Sequence, residues 1–199
     1  MEKEILNLFL YNHKLKFSDI GKSVNERSNK VAYHLKNLVG KELIKKSGDF
    51  YMLSEKSEVK IPYLTSKNSV LAVVLIAIRQ GEKVFLIKRD KRPFDDKLCL
   101  PGGRLIVGET IKEGTERIMK EKFNLKCKFE KVNSVHLEHV KRDSKTLHSF
   151  LLIFVSAKTN EKISYASLRG NKNQLVSSDY HLIKNDLGKK TTVKNLITR

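Results

Sequence analysis

The residues of this chain best suited to chemistry lie between Pro101 and Leu125, where glycines, carboxylates and cations recur at fixed intervals. Gly102-Gly103 is followed by Glu109, Arg117 stands eight positions beyond that, and Glu121 four further on. Carboxylates beside a glycine loop suit hydrolysis of a diphosphate. A divalent metal there offsets charge on the phosphate oxygens and activates water. Mg²⁺ asks for near-octahedral oxygen ligation, commonly from carboxylates, waters and substrate phosphates. Glu109 and Glu121 are the carboxylates at these intervals, with Arg117 between them. Glu113 and Glu116 are the other carboxylates within reach by sequence. Glu113, Arg117 and Glu121 are four apart on one helix face, so an ion-paired stripe is the simpler use of Glu113.

The run Leu98-Cys99-Leu100-Pro101-Gly102-Gly103-Arg104-Leu105-Ile106-Val107-Gly108-Glu109, with the helix from Thr110 to about Phe123, resembles the Nudix box. That box reads Gly, five residues, Glu, seven residues, then Arg-Glu-apolar-any-Glu-Glu-any-Gly-apolar. Gly103, Glu109, Arg117 and Glu121 match it. Ile118 and Lys122 stand where the first and third carboxylates of the trio belong, Ile106 stands where an acidic residue is frequent, and Asn124 replaces the glycine. Ile87-Lys88-Arg89 before the box and Glu138–Phe154 after it extend the likeness. The resemblance implies an α/β/α sandwich over residues 68–199 and a nucleoside-diphosphate-like ligand. It also implies Mg²⁺ held by carboxylates beside a glycine loop with a free carbonyl, which makes Glu109 and Glu121 the candidate metal ligands and Glu109, Arg117 and Glu121 the candidate catalytic set. The departures imply that hydrolysis is lost or weak, because an ammonium at the metal adds roughly a few kcal/mol of repulsion. Arg89, Gly102, Gly103, Arg104 and Lys122 are then the expected ligand-binding residues, with Arg92 beside them. Arginines suit a diphosphate by bidentate contact, and Lys122 could pair with a phosphate that magnesium would otherwise bridge. His136, Glu138 and His139 either line the pocket or are polar residues of a strand edge.

The elements that must position this box read as β-structure. Val70–Ile78 and Val84–Lys88 flank Arg79-Gln80-Gly81-Glu82 as a hairpin, and apolar strands recur at Lys126–Leu137 and Leu147–Val155. Residues 157–178 are polar and read as loop with at most one strand. Thr191 or Thr192 is placed to cap a short terminal helix, Val193–Ile197. Glu58 to Lys67, with Pro62, reads as a linker.

Ahead of the linker the pattern is helical. Ile5, Leu6, Leu8, Phe9 and Leu10 make an apolar first helix, Ser18 caps a second through Val24, and Asn25-Glu26-Arg27 turns the chain. Ser28 caps a third helix with Val31, Leu35 and Leu38 on one face and Gly40 at its end. Strands follow at Leu43–Lys45 and Phe50–Leu53, separated by Ser47-Gly48-Asp49. Three helices and a β-hairpin over residues 1–61 resemble the winged helix-turn-helix of prokaryotic regulators. The whole chain is thus expected to be an α+β two-domain protein, a small winged helix followed by a Nudix sandwich. The resemblance makes Ser28, Asn29, Lys30, Tyr33, His34 and Asn37 the groove-reading residues, with Lys45, Lys46 and Ser47 on phosphates. A winged helix used for protein contacts is the alternative.

The 199 residues carry a net charge of +18, which points to an anionic partner or to a lysine-rich solvated surface. Residues 1–63 hold 12 Lys and Arg against 8 Asp and Glu, so most of the excess lies in the second part. No apolar run approaches the roughly 18 residues needed to span a bilayer. Cys99 and Cys127 form no CxxC or Cys/His cluster, so two packed thiols in a reducing cytoplasm are expected. Together these readings predict a homodimeric transcriptional regulator that binds double-stranded DNA and senses a nucleotide-like ligand such as ADP-ribose or a sugar nucleotide. The alternative is a metal-dependent Nudix hydrolase of nucleoside diphosphate derivatives with an accessory winged helix. A third is a non-enzymatic RNA-associated module, which only the basic second part supports.

Overall fold

The computed structural model describes residues 1–58, 69–90 and 94–197, with the side chain of Glu58 left out. The chain divides into two compact units, Met1–Ser69 and Val70–Arg199. The expected linker, and Arg92 among the expected ligand residues, lie outside or largely outside the described residues.

The first unit runs α1 (Glu2–Leu8), β1 (Leu15–Lys16), α2 (Phe17–Val24), α3 (Ser28–Gly40), β2 (Ile44–Ser47), β3 (Phe50–Leu53) and α4 (Glu55–Glu58). Val31, Leu35 and Leu38 recur at helical spacing, so one face of α3 enters a core with Ile5, Leu6, Phe9, Ile20, Ile44 and Leu53. Gly48, at φ +57°, lets the chain reverse between β2 and β3, which pair from Ile44↔Leu53 to Ser47↔Phe50. Leu15 and Lys16 add a third antiparallel strand against Tyr51 and Phe50, which the sequence did not reveal because two residues show no periodicity. The helix ends differ in detail from expectation. The Asp19 carboxylate, rather than Ser18, caps α2 by accepting the Lys16 backbone N–H at 3.2 Å. Ser28 is the first residue of α3 and Arg27 its cap. Gly40 is still helical, and the left-handed residue beyond it is Glu42, at φ +56°.

The second unit runs β4 (Leu71–Ala77), β5 (Arg79–Gln80), β6 (Lys83–Val84), β7 (Ile87–Lys88), β8 (Leu98–Cys99), β9 (Gly102–Arg104), α5 (Ile111–Phe123), β10 (Lys128–Arg142), β11 (Lys145–Lys158), β12 (Ala166–Ser167), α6 (Leu168–Asn171) and α7 (Ser177–Asp186). Its principal sheet has the order β10-β11-β4-β9. β4 runs parallel to β11, while the β10–β11 and β4–β9 pairs are antiparallel. The strands of such a sheet send alternate side chains to opposite faces. Val74, Ile76, Ile153 and Val155 pack with Ile118 and Met119 of α5. Ala77, Leu152 and Phe154 pack with Leu182 and Ile183 of α7. The result is a sheet between two helices. Lys83–Val84 and Ile87–Lys88 are not one strand, because β6 pairs with β5 and β12 while β7 pairs with β8.

Two expectations near the C-terminus are corrected. Residues 157–178, read as loop with at most one strand, hold β12 and also the short helix α6, and their last two residues begin α7. The segment expected to be a terminal helix is not helical, and Thr191 instead bridges Val132, its N–H donating to the Val132 carbonyl at 2.9 Å. Leu196 and Ile197 are exposed, so no apolar face holds a helix there. The α7 sequence looked polar because it buries Asp179 and Asp186, whose partners come from other elements.

Candidate functional site

The box is held together by helix α5. Thr110 and Glu113 cap it reciprocally: the Glu113 N–H donates to the Thr110 hydroxyl, and the Thr110 N–H donates to the Glu113 carboxylate at 2.8 Å. Glu113 therefore serves the cap, and the expected three-member stripe keeps only Arg117 and Glu121. One α5 turn on, Arg117 donates to both carboxylate oxygens of Glu109, at 2.8 and 2.7 Å, and to the Arg104 carbonyl at 3.0 Å. It also donates to Glu121 at 3.1 Å. Glu109 is nearly buried and accepts a further N–H, from Ile106, at 2.7 Å. The Arg117 guanidinium holds the Glu109 carboxyl below the usual carboxylate range, against the opposing effect of burial. Pairing with Glu109 raises Arg117.

The glycines are set by close approach. A Cβ on Gly102 would lie 2.7 Å from the Val74 carbonyl oxygen, and one on Gly103 would lie 2.9 Å from Lys122 Nζ and 3.0 Å from Ile118. Gly114, which the sequence reading passed over, lets α5 pass the loop: its Cβ would lie 2.8 Å from Leu105 and 2.9 Å from Glu109 Oε1. The loop carbonyl expected to be free accepts a hydrogen bond. Lys122 Nζ donates to the Gly102 oxygen at 2.8 Å. Ile118 is fully buried against the sheet.

These residues do not fit Mg²⁺. Glu109 is occupied by three N–H donors and Glu121 faces Arg117. Glu116 points away and accepts the Phe129 N–H at 3.4 Å. Among the described residues, no three His, Cys, Asp or Glu side chains gather as a metal site. The expected ligand pair Glu109 and Glu121 is thus replaced by a clamp on Arg117.

Arg89 lies elsewhere. It lines a cavity of about 110 Å³ on the α7 face of the sheet, with Phe94, Cys99, Leu100, Glu138 and Asp179 among its walls. The expected ligand residues are therefore divided, since Gly102, Gly103, Arg104 and Lys122 do not line this cavity. Glu138 does line it. His136 instead contacts Asp186 at 2.7 Å, and His139 contacts Ser149 at 2.8 Å. The sequence reading missed Asp179, which is buried and accepts the Leu100 N–H at 2.7 Å. Burial pushes its carboxyl up to about 7, opposed by the Leu100 N–H and by Arg89. Burial likewise pushes the Cys99 and Cys127 thiols up to about 11, so neither is an activated nucleophile.

In the first unit, Ser28, Asn29, Lys30 and Tyr33 are exposed on α3, and Lys45, Lys46 and Ser47 on β2. Lys30 pairs with Glu26 at 2.6 Å. Two expected groove-reading residues point elsewhere: His34 lies 3.9 Å from Glu2, and Asn37 stands beside the same carboxylate. Both belong to the contact of α3 with α1. The hairpin carries cations over rings: Lys14 and Lys16 over Phe50 at 4.7 and 5.4 Å, and Lys46 over Tyr51 at 5.8 Å. Lys14 and Lys16 reach this surface through β1, so the sequence gave no sign of them.

A mixed sheet between two helices, with a glycine loop clamped by Glu109 and Arg117, is an α/β/α sandwich. The NUDIX domain family model matches residues 68–173, and the chain belongs to that family. It is 35% identical over 78 residues to the 8-oxo-dGDP phosphatase NUDT18 of Homo sapiens. The match is 39% of this chain and 24% of that protein, so the chain spans about a quarter of the length of this curated relative. A NUDIX hydrolase from Nitrosomonas europaea shares the fold, at a TM-score of 0.53 and 17% identity, over 61% of this chain and 92% of that one. The NUDIX domain of Shewanella oneidensis NrtR, complexed with ADP ribose, is more distant, at a TM-score of 0.47 and 16% identity over 60% of this chain and 87% of that one. Among the described residues, no helix is long and apolar enough to cross a membrane.

Proposed function

We propose that this chain is a DNA-binding transcriptional regulator whose Nudix domain binds a nucleotide-diphosphate-like ligand, with hydrolysis lost or weak. The observation that carries the reading is the Glu109–Arg117–Glu121 clamp, which commits both remaining box carboxylates to one guanidinium. A carboxylate that already accepts three N–H bonds is a poor metal ligand, and metal activation of water is the step that hydrolysis needs. The first unit acts as a winged helix. Asn29, Lys30 and Tyr33 enter the major groove of duplex DNA, while Lys45, Lys46, Lys14 and Lys16 hold phosphates. Two copies bind two half-sites as a homodimer. The ligand occupies the Arg89–Glu138–Asp179 cavity and the glycine loop, and its binding shifts DNA affinity by the same factor by which DNA shifts ligand affinity.

The test selects a duplex from a random pool and measures its affinity at fixed salt, with and without ADP-ribose, a sugar nucleotide and nucleoside diphosphates. Sequence-selective binding that changes with one of these ligands, and that Tyr33→Ala and Asn29→Ala weaken, is the expected result. Binding equal across sequences and abolished by salt would defeat the reading.

The likeness to a phosphatase acting on 8-oxo-dGDP favours a second reading, a metal-dependent hydrolase of nucleoside diphosphate derivatives. Magnesium-dependent phosphate release from a diphosphate panel, lost in Glu121→Gln, would establish it in place of the first.

A further inference from the structure

Where α5 crosses the glycine loop, Arg117 pairs with Glu109 and Glu121, and Lys122 reaches the loop itself. Lys122 sits in the last turn of α5, and its ammonium reaches the Gly102 carbonyl at 2.8 Å. The side chains of Ile118 and Lys122 both close on Gly103, where even a methyl group would meet them at 2.9–3.2 Å. The ammonium is thus seated against the loop, on a carbonyl oxygen that a cation at this loop would need.

We propose that the Lys122 ammonium is a tethered replacement for the divalent cation, so that the loop holds a phosphate group with no metal. This rests on the reading that the domain binds a phosphate-bearing ligand. Three features make the replacement self-consistent. Mg²⁺ needs oxygen ligands at about 2.0–2.1 Å, and an ammonium hydrogen-bonded to the same oxygen competes for that position. Ile118, in place of a ligating carboxylate, belongs to the buried core of the sheet face and gives a metal nothing to bind. An ammonium is itself a phosphate-binding group, acting as a point charge. With Ile118 and Lys122 in place of two carboxylates, two units of negative charge are absent, and Lys122 supplies the positive charge that a metal would have brought. A cation covalently fixed to the chain needs no metal loading, so ligand binding is decoupled from the free divalent concentration.

The experiment has two arms on the full chain. In the first, Mn²⁺ affinity is measured by electron paramagnetic resonance for the wild type and for Lys122→Glu, which makes the local charge two units more negative. The variant is expected to bind Mn²⁺ at least about tenfold more tightly; a ratio near one overturns the proposal. In the second, inorganic pyrophosphate binding is measured by calorimetry in EDTA and in Mg²⁺, for the wild type and Lys122→Met, which keeps the apolar stem. Equal affinity in both media, and a loss of about tenfold or more in Lys122→Met, are expected. Pyrophosphate binding that needs Mg²⁺, or that Lys122→Met leaves unchanged, overturns the proposal. Absence of pyrophosphate binding in either medium defeats the phosphate-ligand reading and this proposal's phosphate contact with it. The Mn²⁺ arm then still decides whether Lys122 has displaced the metal.

Discussion

Arg117 donates from all three guanidinium nitrogens, to Glu109, to Glu121 and to the Arg104 carbonyl, and so ties α5 to the loop before it. Removing one partner of a nearly buried pair leaves the other charge without compensation. Arg117→Met should therefore cost about 2 kcal/mol, discounted from the buried-pair range because Arg117 is partly exposed. Urea denaturation near neutral pH reads this directly. The pH dependence follows from the lowered Glu109 carboxyl. Its contribution is present above the ordinary carboxylate value and is lost as pH falls through the depressed folded value. The gap between wild type and Arg117→Met should therefore narrow below about pH 4. A gap that stays constant down to pH 2 would show that the clamp is not electrostatic. The sequence spacing paired Arg117 with Glu121, four residues away. The stronger pairing with Glu109 needed the loop to fold back, which spacing alone does not state.

Elements are joined here by close approach and by buried polar groups more than by long helices. Gly102 faces the fixed backbone oxygen of Val74, whereas Gly103 faces side-chain ends of Lys122 and Ile118. Gly102→Ala should thus destabilise by about 2 kcal/mol or more and Gly103→Ala by less, as thermal unfolding would show. An equal loss for both would mean that the Lys122 and Ile118 side chains cannot give way. Helix α7 is anchored through Asp179, whose carboxyl is pushed up to about 7 by burial. An acid raised in the folded state keeps its proton after the unfolded chain has lost it. Stability from this group is therefore full below about pH 4 and falls as pH rises to about 7. Asp179→Asn keeps an oxygen for the Leu100 N–H and should remove that slope; an unchanged slope in urea titrations between pH 4 and 7 would assign it to another group. Asp186 acts with the opposite sign. Lys189 foremost, then Ser134 and His136, pull its carboxyl down to about 2 against the opposing effect of burial. Its contribution is thus lost as pH falls from about 4 towards 2.

At the scale of the molecule, the edge of the main sheet is exposed and apolar. Val135, Leu137 and Leu151 lie on one face, at 39, 57 and 38% exposure, with Leu137 opposite Leu151 in the register. β10 is the last strand of this sheet among the described residues. Thr191 bridges this edge at Val132, and the exposed stretch beyond, around Leu137, is of a kind that invites strand pairing. In the proposed homodimer, two β10 strands meeting antiparallel about Leu137 would set Leu137 against its copy and His136 against Glu138 of the other chain. Leu137→Glu should then shift sedimentation velocity from dimer towards monomer and reduce DNA affinity through loss of the second half-site. A wild type that is monomeric at tens of micromolar would remove both expectations. Salt should strengthen this association, because chains of net charge +18 repel while the contact is apolar.

The family, and the strands and helix that carry its box, could be read from the chain because they depend on local quantities. Glycine positions, the carboxylate and arginine spacing of the box, and the period of the apolar residues are all set within a few positions of one another. Ile118 and Lys122 already announced an altered metal corner, since residue type fixes charge. The tertiary structure alone decided which partner each charge took. It set Glu113 on the cap, Glu109 on Arg117, Lys122 on the Gly102 carbonyl, and Asp179 under the Leu100 N–H. It also turned His34 and Asn37 towards α1 and formed helices at Leu168–Asn171 and Ser177–Asp186, which the sequence reading did not place. The physical reason is the same in each case. A polar side chain is satisfied by whatever donor or acceptor folding brings within about 3 Å, and that neighbour is often 20 to 80 residues away in sequence.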